Sequence, residues 1–170
     1  MSSTLKADRA DLQLEGLVAG ITRKNQHAEV NFSGNYFKRD PQIIGNVGLY
    51  YCCYRLSLDG WNVMPTARNA RGVDIVVYSR DATRKLAIQV KALSKRYPVP
   101  LGTSLDKVMG DFWVVVNNVS SKPSAYILLP SEVRAFAHRG EKEGRVSFWL
   151  QPKSYDQEDF KEKWDRIGHG

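Results

Sequence analysis

Apolar positions along the chain fall into runs of distinct period, and the runs predict the elements. From Ile43 to Leu58 the residues are apolar on most sides, which predicts a largely buried helix. Asp40-Pro41 supplies its start, because Asp accepts from orphan amides and Pro at the first turn loses no needed donor. Gly60 supplies its stop. Gly45 and Gly48 weaken helix propensity by about 1 kcal/mol each relative to alanine, so they are expected where a packed strand or a ligand's phosphate comes close.

Alternation then predicts strands over 61–65, 73–78 and about 85–91, the last two joined as an antiparallel hairpin by the polar turn 79–83. The segment 94–100 holds two prolines and reads as a loop. Phe112-Trp113-Val114-Val115-Val116-Asn117 and Ala125-Tyr126-Ile127-Leu128-Leu129 have the continuous apolar character of strands buried on both faces. Ser131 is expected to cap a short helix over 132–139 ended by Gly140, and 145–150 to form an edge strand. A terminal helix from Asp156 would align Phe160, Trp164 and Ile167 on the face that docks. This order predicts an α/β domain around a mixed sheet over 41–170. Residues 1–40 are expected to form an N-terminal arm, a dimer contact or a partly disordered segment, with Leu12, Leu14, Leu17, Val18 and Ile21 suited to one short helix. Phe32, Tyr36, Phe37, Lys38 and Arg39 mix aromatic and basic character, as a nucleic-acid contact would, though aromatics covering the core edge beside solvated cations is the favoured reading.

Charge narrows the partners. With 25 Lys+Arg against 18 Asp+Glu, the chain carries a net +7, which favours a polyanion through long-range attraction and counterion release. No apolar run approaches the ~20 residues that span a bilayer, and the N-terminus lacks the apolar core of a signal peptide. The expectation is a cytosolic protein without a membrane partner. Cys52 and Cys53 are adjacent in the helical segment and read as small buried hydrophobes rather than a disulfide or zinc site.

Against this apolar background three polar residues stand out. On the third strand Ala87, Gln89 and Lys91 share a face, and on the second Asp74, Val76 and Tyr78 do, so Asp74, Gln89 and Lys91 are expected to converge. An acid and a lysine placed mid-strand are costly without partners. One reading is an Asp74/Lys91 ion pair that closes the core edge. The other is a metal-assisted phosphodiester cleavage site. There Asp74 gives a hard anionic oxygen to Mg²⁺, Gln89 a neutral carbonyl oxygen and Val90 its main-chain carbonyl, while Lys91 offsets charge on the phosphate.

Gly72-Val73-Asp74, followed fifteen residues after the acid by Gln89-Val90-Lys91 and preceded by a helix ending in Leu58-Asp59-Gly60-Trp61-Asn62-Val63, resembles the PD-(D/E)xK restriction-endonuclease-like superfamily. The Gln-x-Lys form is similar to nucleases that restrict modified DNA, and the helix-then-Gly-Trp entry to archaeal Holliday-junction resolvases. The similarity covers roughly residues 43–130. It implies a restriction-endonuclease-like sheet flanked by helices and a Mg²⁺-dependent DNA endonuclease, with Mn²⁺ as substitute, acting on branched or modified DNA. Asp74 then takes the metal-binding position, Gln89 the usual Glu/Asp position and Lys91 that of the catalytic lysine. Two departures favour an alternative, a catalytically weakened fold that serves as a DNA-binding or assembly module. Gln89 carries no charge, and the helix has Asn46 where many members carry a glutamate.

Arg68 and Arg71 precede Asp74 and Lys95 and Arg96 follow Lys91, so these cations are expected to form a DNA-backbone-binding rim, with Thr66 and Asn69 as neutral phosphate contacts. Tyr97 and Trp113 read as packing residues. Cutting both strands calls for two sites, which makes a homodimer through the N-terminal arm a candidate assembly. A purely structural interaction protein is the third reading.

Overall fold

A computed structural model of the chain describes residues 40–67 and 72–170. The expectations for the arm, and for Arg68, Asn69 and Arg71, lie outside these residues. Helix α1 (Pro41–Leu58) starts as expected: the Asp40 side chain accepts from Gln42 N–H at 2.8 Å, and Gly60 ends the turn at φ +88°. Its burial is narrower than its composition suggests. Gly48, Cys52 and Leu56, one residue per turn, are the buried positions, whereas Tyr50, Tyr54 and Leu58 are each more than 60% exposed. A ridge of spacing four is all that a helix lying on a flat sheet needs to bury. Gly48 permits that seat, since a Cβ there would stand 2.3 Å from the Ala92 Cβ. Gly45 has no atom within 4 Å of a Cβ and faces open space.

Strands β1 (Asn62–Pro65), β2 (Ile75–Tyr78), β3 (Lys85–Ala92), β5 (Phe112–Asn117) and β6 (Ser124–Leu128) form a five-stranded sheet in the order β1-β2-β3-β5-β6. The β2–β3 hairpin is antiparallel with Ile75 opposite Ile88, and β3 and β5 make the parallel pair at the centre. β4 (Val99–Gly102), β7 (Ala137–Lys142) and β8 (Arg145–Leu150) form a three-stranded sheet in the order β4-β8-β7. The fold is therefore mixed α/β, with two further short helices, α2 (Pro130–Ala135) and α3 (Pro152–Tyr155).

Two cores sandwich the large sheet. On the α1 side Ile75, Val77, Ile88, Val114, Val116 and Ile127 pack with Cys52 and Leu56; on the other, Trp113, Val115, Tyr126 and Leu128 pack with Val99, Leu101 and Leu150. Cys52 is fully buried and Cys53 partly so, and both are free.

Four elements depart from expectation. The segment 94–100 is not all loop, because Val99 and Pro100 enter β4, an edge strand where proline costs no ladder bond. α2 stops at Ala135, and Gly140 pairs with Ser147 inside β7 instead of ending a helix. β8 is central in its sheet rather than an edge. The predicted terminal helix is replaced by an irregular run ending in a 3-10 turn, Trp164–Arg166. Phe160, Trp164 and Ile167 dock all the same, each at most 6% exposed. The free edge of β6 decides the conformation: Ile127 N–H donates to the Phe160 carbonyl at 2.9 Å and Glu162 N–H to that of Ala125 at 2.8 Å, so the segment pairs with a strand that would otherwise end in open donors and acceptors.

Candidate functional site

Asp74 stands just before β2, and the ladder is irregular there. Its N–H donates to the carbonyl of Ile88 at 2.9 Å, the residue that Ile75 already faces. Two residues thus oppose one, the count of a β-bulge, and the bulge resets the alternation between faces. The Asp74 carboxylate consequently lines a cleft beneath α1, of about 230 Å³, with Asn46, Thr66, Val90 and Ala92. Oδ2 accepts from the Val90 N–H at 2.7 Å, supplying the bond that a longer β2 would have made. Since the N–H and C=O of one strand residue leave from the same edge, the Val90 carbonyl faces that edge too.

Thr66 fixes the approach to the acid. Its N–H donates to the Asp74 carbonyl at 3.0 Å and its hydroxyl to the Val73 carbonyl at 2.6 Å. Asn46 is exposed on α1 and shares the cleft, as the only polar side chain that the helix brings there.

Gln89 and Lys91 take the opposite side of β3. Both line a second cavity, of about 640 Å³, whose lining does not include Asp74. Gln89 is 7% exposed, and its Oε1 is buried with no hydrogen-bond partner. The Lys91 ammonium lies over the Trp113 ring, 5.5 Å from its centroid. β3 brings Gln89 and Lys91 together on one cavity, while Asp74 lines the cleft on the α1 side. The Asp74/Lys91 ion pair does not form, for neither residue belongs to the five ion pairs among the described residues.

The donors at the cleft fit a hard divalent cation in two of the three expected positions. Mg²⁺ keeps several waters and needs only one or two carboxylates besides substrate phosphate, which the Asp74 carboxylate and the Val90 carbonyl could serve. Gln89, the third expected ligand, lines the larger cavity. Among the described residues no group of three or more His, Cys, Asp or Glu side chains is assembled to hold a metal.

Of the described rim residues, Lys95 is exposed, while Arg96 donates from Nε to the Asp156 carboxylate, so part of its charge is spent within the domain. Trp113 is buried at 1% exposure and Tyr97 is 48% exposed, its carbonyl accepting from the Tyr155 hydroxyl at 2.8 Å. Asp106, Lys107 and Met109, outside the sequence-based expectation, also line the Gln89 cavity. Their signal was the Ser104-Leu105-Asp106 turn, where the Ser104 side chain accepts from Asp106 N–H, followed by Gly110 at φ +84°.

Comparison with protein-family models, with curated proteins and with solved structures yields no match to this chain.

Proposed function

We propose that the domain is a Mg²⁺-dependent DNA endonuclease of the restriction-endonuclease-like kind, hydrolysing phosphodiester bonds in branched or modified DNA. The observation that carries the reading is the Asp74 carboxylate held 2.7 Å from the Val90 N–H, against the main chain of the Gln89-Val90-Lys91 run. Asp74 and the Val90 carbonyl would hold the cation, which when bound supplies Lewis-acid polarisation and a more acidic water. Thr66 positions the acid through its two bonds to the 73–74 main chain. Lys91, on the opposite face of β3, would contribute positive charge toward a phosphate held at the strand's edge. The exposed Lys95 and the net charge of +7 favour the approach of a polyanion.

A specific observation favours a second reading, a DNA-binding or assembly module: Gln89 and Lys91 line a cavity apart from Asp74. The two separate in one experiment. Purified protein with Mg²⁺ or Mn²⁺ is incubated with plain, branched and modified duplexes, beside the Asp74→Asn and Lys91→Ala variants. The endonuclease reading expects cutting of at least one substrate and its loss by 10²-fold or more, as an order of magnitude, in both folded variants. Salt-sensitive binding without cutting on the whole panel leaves the module. Absence of binding even at low salt overturns both.

A further inference from the structure

The Gln89 cavity has a chemistry of its own: it shares Lys91 with the proposed nuclease site but does not include Asp74. Its floor is buried: Gln89 and Trp113, with Leu101 beside them. Its mouth is exposed and charged, with Asp106 and Lys107 beside Met109. Two cations, Lys91 and Lys107, face one carboxylate, so the cavity favours an anion. Neither lysine belongs to an ion pair among the described residues.

The mouth is built rather than loose. Trp113 Nε1 donates to the Met109 carbonyl at 3.0 Å, Asp111 Oδ2 accepts from Ala87 N–H at 2.7 Å, and Arg134 donates to the Val108 carbonyl. Gly72 and Gly110 allow the closeness. A Cβ at Gly72 would meet the Met109 sulfur at 2.8 Å, and one at Gly110 the Ala87 carbonyl oxygen at 2.7 Å.

Inside stands Gln89, whose Oε1, like Asp59 Oδ2, is a buried side-chain atom without a hydrogen-bond partner among the described residues. Leaving such an atom buried without a partner is unfavourable, and a ligand donor would remove that cost. The last torsion of glutamine is soft and roughly two-fold, so the carboxamide can turn both its oxygen and its N–H₂ to a ligand. That pair of groups is complementary to the N6/N7 edge of adenine. A volume of about 640 Å³ lies in the range of small-molecule and cofactor sites.

We infer that this cavity binds an adenine nucleotide, its base edge on Gln89, its phosphate on Lys91 and Lys107, and a sugar hydroxyl on Asp106. The nucleotide can be free or part of an unpaired strand, since both present the same groups.

Calorimetric titration of the full chain with AMP, adenosine, inorganic phosphate and a short single-stranded oligo(dA) tests this. AMP is expected to bind saturably, with adenosine and phosphate each at least about tenfold weaker. Lys107→Ala, a change at the exposed mouth, should weaken AMP by about tenfold. Gln89→Leu should lose AMP binding while raising Tm by a few degrees, because the unmatched amide is gone. Displacement of AMP by oligo(dA) assigns the cavity to a strand nucleotide, and failure to displace assigns it to a free one. The inference is overturned if neither AMP nor oligo(dA) binds, or if both variants bind as the parent does.

Discussion

Asp74 performs with a side chain what β2 leaves undone with its backbone. The Val90 N–H would otherwise lack a partner at the end of the hairpin, and a hydrogen bond to an ionised acceptor contributes about 1.5–3 kcal/mol. Asp74→Ala should therefore lower unfolding stability by roughly 1–3 kcal/mol. Asp74→Asn keeps an oxygen acceptor and should lose less than about half of that. Urea melts of the two variants check the ranking: equal losses would assign the effect to the carboxylate's charge, and no loss in Asp74→Ala would mean that the 2.7 Å bond contributes nothing. The irregular ladder beside that bond explains why simple alternation does not give the face of Asp74. Alternation counts positions, and a single extra residue opposite Ile88 changes the count without leaving a mark in composition. Gln89 and Lys91 were legible because nothing interrupts β3 between them.

At the scale of elements, legibility followed whether the deciding interaction was local. The start and stop of α1 were readable because Asp40, Pro41 and Gly60 act on their own neighbours. The strands β1, β2 and β3 were readable from their alternation, and β5 and β6 from continuous apolar runs. The segment after Tyr155 was not, because its apolar spacing suits a helix while the open edge of β6 draws it into pairing. Likewise Gly140 resembles a helix stop but lies in β7, opposite Ser147.

That C-terminal segment is also tied to the connection after β3. Burial raises the Asp156 pKa, but hydrogen bonds from Tyr126 and Arg96 outweigh it and hold the carboxyl below its ordinary value near 3.8. A carboxyl depressed in the folded state contributes its stability in full above the unfolded value and loses it as pH falls through the folded one. Stability should thus decline on acidification below about pH 4, and Asp156→Asn should flatten that decline while leaving its slope above pH 6 unchanged. Thermal melts across pH 2.5–7, on the order of ten points, would read both slopes; an unaltered acid limb in the variant would remove Asp156 from the account.

For the whole molecule, β3 is the divider: the Asp74 cleft lies on its α1 side and the Gln89 cavity on the other, and the central parallel pair with β5 supports both. The net charge of +7 acts on this arrangement from outside, raising the local concentration of polyanions without choosing between the cavities. Parallel neighbours need a crossover, and here the crossover from β3 to β5 contains β4, whose partner β8 arrives much later in the chain. The small sheet is therefore threaded into the connection that makes the large one. Neither can melt and leave the other intact: loss of β8 strips the cover from Val99 and Leu101, which also pack on Trp113 and Val115. Scanning calorimetry of the chain should accordingly give one cooperative transition for both sheets, and two resolved transitions would show them to be separable.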